Sequence, residues 1–373
     1  MIVPDRSVVI LGGDPIALAV AGRLALGGHR VVLWEAPSAR ASVAAPGERP
    51  QLTLSGAGGE AVATLAAATS DPFEALAAGD VLLTCAPLHP RSAFTDLLLP
   101  LVEPRHTLVL LPGSLSSLAH AKWLRDRGRG AGGLPTLVES DTAPVVSHMV
   151  APDGVHVSAV VANTGFGVFP ACRTAGTMTV LQELFPGARA HVHVAAAALA
   201  AVVPFLRAPA LVMNAAAGER PRAGLSLFED AFTPGVGRVA EALDAERLAL
   251  AAALGLDLPT AAEALHAWGL GPRGNLWATV NGSLALTRTP DTDAAPEERL
   301  VDEVAFGLRP WVELADQLGV PAPVCRSLVE LCVVATGADQ WAPGRSLDDL
   351  GIAGMSAAAL GRFLDTGSDE LGA

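Results

Sequence analysis

The chain has 373 residues, of which 51% are hydrophobic and 17% charged, and its formal net charge is −13. That composition excludes a disordered chain, and the length suits about two domains. An acidic chain with one lysine, Lys122, and no basic stripe excludes nucleic acid and anionic membrane as partners.

Ser7–Leu11 (SVVIL) is a continuous apolar run rich in β-branched residues, closed by Gly12-Gly13. Such a run is expected of a buried parallel strand. Asp14-Pro15 then supplies a favoured N-cap and a favoured first helical residue, and Gly27-Gly28 stops the helix. His29–Trp34 forms the next strand and Glu35 closes it. Together these make a βαβ unit.

Further strands are predicted at Asp80–Cys85, Thr107–Leu111 and Leu134–Glu139, with a helix over Phe94–Leu101. His156–Ala162 and Ala190–Val194 alternate in polarity and are expected to extend the same sheet. From Ala195 the strand signals stop. Pro234–Leu254, Arg309–Leu318 and Ala322–Thr336 read as helices, and Thr287–Glu298 as a polar loop. The expected fold is therefore an α/β Rossmann, doubly wound sheet over residues 1–195, followed by an all-α C-terminal domain over 196–373.

The four cysteines form no CxxC pair. Cys325 and Cys332 are one helical stretch apart, with Cα atoms roughly 10 Å from each other, too far for a disulfide. The N-terminal stretch lacks the basic region of a signal peptide, and no apolar run is long enough for a membrane span. A cytoplasmic protein with reduced thiols is expected.

A dinucleotide-binding turn should read G-x-G-x-x-G/A, with the middle glycine letting the backbone approach a pyrophosphate. Here Gly12 and Ala17 fit the first and last positions, but Asp14 stands at the middle one, in Gly12-Gly13-Asp14-Pro15-Ile16. An N-cap carboxylate takes the helix amides for itself and repels phosphate. Two unit charges ~4 Å apart repel by roughly 4 kcal/mol at an effective dielectric of ~20. NAD(P)H binding is left open on this ground, beside a reading in which Asp14-Pro15 only caps a helix. Glu35 suits the adenosine ribose hydroxyls, which favours NAD, while Arg40 suits a 2′-phosphate. Ala86, Pro87, Pro112 and Gly113, at the ends of later strands, and Glu139 complete the candidate cofactor residues.

Several blocks together resemble one family: VVILGG, AGRLALGGHRVVLWE, AGDVLLTCAP, LVLLPGS, LVESDTAP, APALVMNAAAGE, FTPGVGRVAEALDAERLALAAALGL and DEVAFGLRPWVELADQLGVPAP. The chain resembles the octopine/opine dehydrogenases, in which a Rossmann domain precedes an all-helical domain. The resemblance implies NAD(P)H-dependent reduction of an imine formed between a 2-oxo acid and an amino acid. It also implies a catalytic His–Asp pair. Here the histidine position carries Arg207, and the aspartate position falls at Glu303, while Asn214, Asp244, Glu246 and Arg247 match.

Arginine stays protonated near neutral pH and cannot serve as general acid or base, but it holds a carboxylate well. A contact between Arg207 and Glu303 is expected, either binding substrate or maintaining packing. His148 stands where the resemblance implies an arginine, and it is a candidate proton donor. His89, Arg273 and Asn214 join Arg207 as candidate substrate residues, with His266 beside Arg273. His191 and His193 are expected on one exposed strand face, and no metal site is predicted.

These readings imply an oxidoreductase of secondary metabolism that reduces a carboxylated imine or ketone, with a homodimer allowed. A redox-neutral cyclase or isomerase without nicotinamide stays open as the alternative.

Overall fold

Strand β1 (Ser7–Leu11) is buried except at Ser7. Only a strand covered on both faces tolerates such a run. The structure, a computed structural model, describes residues 6–37, 49–85, 93–215, 226–290, 300–336 and 345–368. Contact density divides the chain into two units, Met1–Ala198 with Asp365–Gly367, and Leu199–Leu364 with the residues from Ser368. The division falls inside the Ala-rich helix Val194–Ala200.

The first unit holds an eight-stranded sheet. β1 pairs in parallel with β2 (Arg30–Trp34) and with β6 (Val81–Thr84). Outward on one side, β2 is followed by β5 (Ala67–Thr69). On the other side come β7 (Thr107–Leu110) and β8 (Thr136–Ser140), also parallel. β11 (Gly165–Phe169) then runs antiparallel to β8, and the short β12 (Arg189–Ala190) closes the edge. The chain builds outward from β1 one way and then from β6 the other way. The strand order therefore reverses between β1 and β6, where open α/β sheets leave a crevice at the carboxyl ends of the strands.

A second sheet of four strands, in the order β4 (Ala61–Thr64), β3 (Gln51–Gly56), β10 (Gly154–Val160), β9 (Val145–Ala151), was not expected. Its strands are short, and one face is polar, so they leave little signal in composition. Helix α1 (Pro15–Leu26) is buried along most of its length, and Leu52, Leu54, Val155 and Val157 of this sheet share its core. The prediction that His156–Ala162 extends the main sheet is thus corrected. Alternation places Val155 and Val157 in this core and His156 on the opposite face.

The stretch Ala190–Val194 is corrected too. Only Arg189–Ala190 pairs with the sheet. His193 Nδ1 accepts the Ala196 N–H at 3.0 Å and so caps the Ala-rich helix that follows. Phe94–Leu101 forms a π turn and a 3₁₀ turn rather than an α-helix.

In the second unit every regular element described is helical. Val203–Met213 carries an internal Pro209, and Leu227–Ala231 is a π turn. A long helix, Pro234–Ala253, and the shorter Ala261–Ala267 and Leu276–Asn281 follow. Val301–Leu308 is π-helical and leads into Arg309–Leu318 and then Pro323–Thr336.

Polar side chains set this packing. Arg247 is 2% exposed and donates to Asp244 Oδ1 (2.7 Å), to the Leu199 carbonyl (2.8 Å) and to the Pro259 carbonyl (2.7 Å). Asp244 Oδ2 accepts the Ala261 N–H at 2.8 Å. Glu246 accepts the N–H groups of Val324 and Cys325 at 2.7 and 2.8 Å, satisfying the start of another helix. Cys325 and Cys332 are in no disulfide, and burial pushes both thiol pKa values up to about 12. Among the described residues no single helix is long and apolar enough to cross a membrane.

Candidate active site

The turn between β1 and α1 lies at the strand-order reversal. Gly12 takes φ +110°, a conformation that side-chain-bearing residues rarely adopt, and its N–H donates to the Trp34 carbonyl at 2.9 Å. Asp14 is the N-cap. Its Oδ1 accepts the N–H groups of Ile16 and Ala17, both at 3.0 Å. The Leu18 N–H donates to the Asp14 carbonyl, and Pro15 has no N–H. The first turn of α1 therefore keeps no free amide for a ligand.

The other carboxylate oxygen, Asp14 Oδ2, is buried and has no hydrogen-bond partner. Asp14 as a residue is partly exposed, so the shielding belongs to that atom. Burial raises the Asp14 pKa, partly offset by the backbone N–H groups on Oδ1. Cys85, just past β6, is pushed well above its ordinary value by burial and then by the charge on Asp14.

Glu35 follows β2, and its N–H donates to the Thr69 carbonyl at 3.1 Å. Arg40, Ala86, Pro87 and His89 lie outside the described residues.

Glu139 takes an internal place instead of a cofactor-facing one. It is fully buried on β8. Its carboxylate accepts the Leu115 N–H (2.9 Å), the Ser117 N–H (2.8 Å) and the Ser117 hydroxyl (2.5 Å). It caps the start of the helix Ser116–Arg125, which follows the neighbouring strand β7. Pro112-Gly113 passes directly over it. A Cβ at Gly113 would meet Glu139 at 2.4 Å, so glycine there answers a packing need.

In the helical unit the expected ion pair is present. Arg207 Nε donates to Glu303 Oε1. The two side chains are 20% and 18% exposed. Arg207 sits in the helix Val203–Met213 and Glu303 in the π-helical stretch. The pair uses only Nε among the described residues, which leaves the two Nη groups for a bidentate partner. π-Helical turns recur at functional sites because they re-aim side chains.

Asn214 spends its amide N–H groups on the carbonyls of Ala210 (2.8 Å) and Ala231 (3.2 Å), tying that helix to the π turn Leu227–Ala231. Arg273 donates from Nε to His266 Nε2 at 3.2 Å, and His266 Nδ1 lies 3.0 Å from the Gly271 carbonyl. His266 therefore carries its proton on Nδ1.

His148 belongs to the first unit, on β9. It lies opposite His156 in the β9–β10 ladder, with ring centroids 5.1 Å apart. Burial and the neighbouring His156 lower its pKa. Its neighbour Ser147 faces α1, where its hydroxyl donates to the Pro15 carbonyl at 3.0 Å.

His191 is likewise not on an open strand face. Its Nε2 lies 3.0 Å from the fully buried Asp141 Oδ2, which also receives Arg189 Nη2 at 2.6 Å. Asp141 Oδ1 accepts the Gly165 N–H at 2.8 Å. Sequence reading passed over this cluster; the acid directly after a strand in ESDTAP is the signal that marks it. Among the described residues no group of three or more His, Cys, Asp or Glu side chains could hold a metal ion.

Residues 191–336 match the family described as NAD/NADP octopine/nopaline dehydrogenase, alpha-helical domain. An opine dehydrogenase of Arthrobacter sp. (strain 1C) is 25% identical over 360 residues, covering 96% of this chain and 98% of that protein. The helical unit thus matches an octopine/nopaline dehydrogenase family, and the whole chain is similar to an opine dehydrogenase.

Solved structures share this fold. An octopine dehydrogenase in complex with NADH and agmatine superposes with a TM-score of 0.74 at 17% identity, covering 99% of this chain and 100% of that one. A yersinopine dehydrogenase with NADP+ bound gives 0.65 at 16% identity, covering 97% and 98%.

Dinucleotide-binding sheets of this strand order place a pyrophosphate at the N-terminus of the first helix. The observed turn fits one on a single condition. The helix amides of Ile16 and Ala17 are taken, so the side chain at the turn that can replace them as a donor is Asp14, whose Oδ2 has no partner. A neutral Asp14 carboxyl removes the like-charge repulsion that an ionised one sets against phosphate.

Proposed function

We propose that the protein is an NAD(P)H-dependent oxidoreductase of the opine dehydrogenase type, reducing an imine or ketone that carries a carboxylate. The likeness to an opine dehydrogenase across 96% of this chain and 98% of that protein carries the reading. When bound, nicotinamide would supply a hydride to the C=N or C=O carbon, and a proton from solvent would complete the reduction at N or O.

The chain's own residues divide the remaining work. The turn Gly12–Ile16 and Glu35 hold the dinucleotide at the carboxyl ends of the strands. Arg207 binds the substrate carboxylate through its Nη edge, because Nε is held by Glu303. Glu303 fixes the guanidinium plane and so orients the carboxylate. Arg207 remains a cation throughout and moves no proton. The proposed location is the cytoplasm, which suits the free thiols.

The test is titration with NADH and NADPH followed by fluorescence, then loss of nicotinamide absorbance with panels of 2-oxo acids and amines. Binding of either nucleotide with turnover dependent on a carboxylated substrate is expected. Turnover that persists without any pyridine nucleotide overturns this reading and supports redox-neutral chemistry on the same fold.

A further inference from the structure

We propose that dinucleotide binding is coupled to uptake of one proton by Asp14, which takes it on Oδ2. The inference rests on the cofactor reading above and concerns how this chain meets that cofactor.

The capping is one-sided. Oδ1 receives both available N–H groups, from Ile16 and Ala17. Oδ2 receives none and is shielded from water. A carboxylate held this way keeps its cap when it is protonated, because the amides bind the oxygen that stays an acceptor. The proton has one place to go, and it costs no existing hydrogen bond.

Placing a pyrophosphate over the same turn adds negative charge beside a shielded carboxylate. The charged form is disfavoured twice, by burial and by the like charge. Burial alone already moves Asp14 in this direction. The neutral acid removes the repulsion, and its O–H is a donor where the family pattern has a glycine and free amides.

The surrounding titratable groups do not substitute for Asp14. Cys85, beyond β6, is kept protonated by burial and by Asp14's charge. His148 on β9 and His156 on β10 face each other within the second sheet. Glu35 follows β2, and Arg23 lies in the last turn of α1.

The step balances simply: ionised Asp14, one proton from solvent and the dinucleotide give a complex with a neutral carboxyl. Nothing is oxidised or reduced.

The experiment is calorimetric titration of the full chain with NADH in several buffers of different ionisation enthalpy, from pH 6 to pH 8.5. NADH is the probe because it lacks the titrating 2′-phosphate of NADPH. Wild type is expected to take up close to one proton at the alkaline end, with Kd weakening up to tenfold per pH unit there. Asp14→Asn keeps the cap and carries N–H groups at the second position. It is expected to bind with no proton uptake, a flat pH profile and a Kd at pH 8 at least tenfold tighter than wild type. Asp14→Gly frees the amides and is expected to show the same flat profile.

Three results overturn the proposal. Wild-type binding with no proton uptake and a flat Kd does so while leaving the cofactor reading intact. Uptake that persists in Asp14→Asn assigns the proton elsewhere. Absence of NADH binding by wild type and both variants removes the proposal together with the cofactor reading beneath it.

Discussion

Arg207 meets Glu303 through Nε alone, with about a fifth of each side chain exposed. A pair this accessible contributes modestly to folding, because water screens it and both side chains lose freedom. A double-mutant cycle with Arg207→Met and Glu303→Gln is expected to give a coupling of about 1–2 kcal/mol in urea unfolding. If the guanidinium also binds substrate, Arg207→Lys raises KM for the carboxylated substrate at least tenfold, since an ammonium cannot offer the bidentate edge. A pair that only maintains packing leaves KM unchanged, so steady-state kinetics beside the unfolding data separates the two roles.

Glu139 tests whether a buried acid beside the crevice serves stability or the ligand. Its carboxylate satisfies two backbone N–H groups and a hydroxyl in a fully buried setting. Glu139→Ala leaves those donors without partners and opens a void, which is expected to cost about 3 kcal/mol or more. Glu139→Gln retains one acceptor oxygen and is expected to cost less. The midpoint and slope of urea unfolding check both.

What sequence reading could see follows from how local each signal is. Strand β1 and the Asp14-Pro15 cap are local patterns, and both stand where expected. The second sheet was hidden because β3 and β4 bury only alternate residues and β3 pairs with β10, about a hundred residues on. Glu139 looked like a ligand-facing strand end, because its partners Leu115 and Ser117 lie beyond β7 and follow no fixed spacing. His191 looked like one of an alternating pair until Asp141, far off in the chain, claimed it. The contact between Arg207 and Glu303 was legible only through the family likeness, since no spacing rule joins the two positions.

The His148–His156 pair makes stability depend on pH. Burial and the neighbouring ring hold the folded pKa of His148 below its ordinary value of 6.5. The unfolded chain therefore takes the proton more readily than the folded one. Above that value both forms are neutral and His148 contributes no pH dependence. As pH falls below it, stability is lost progressively until the folded protein also takes the proton. Wild type is expected to lose more stability than His148→Gln between pH 7.5 and pH 5.5. Thermal unfolding of the two proteins in parallel at each pH isolates this group from the others.

Glu35 is expected to set the preference between the two nicotinamide dinucleotides. It stands at the carboxyl end of β2, where the adenosine ribose lies in this fold. A carboxylate there accepts the ribose 2′- and 3′-hydroxyls of NADH. Against the 2′-phosphate of NADPH it sets a like charge, and at ~5 Å with an effective dielectric of ~20 the repulsion is roughly 3 kcal/mol, less where water enters. NADH is therefore expected to bind at least tenfold more tightly than NADPH. Glu35→Ser removes the repulsion and one pair of hydrogen bonds, so it weakens NADH and strengthens NADPH. Competitive titration of both nucleotides against wild type and Glu35→Ser measures the change. An unchanged preference would show that Glu35 does not meet the ribose.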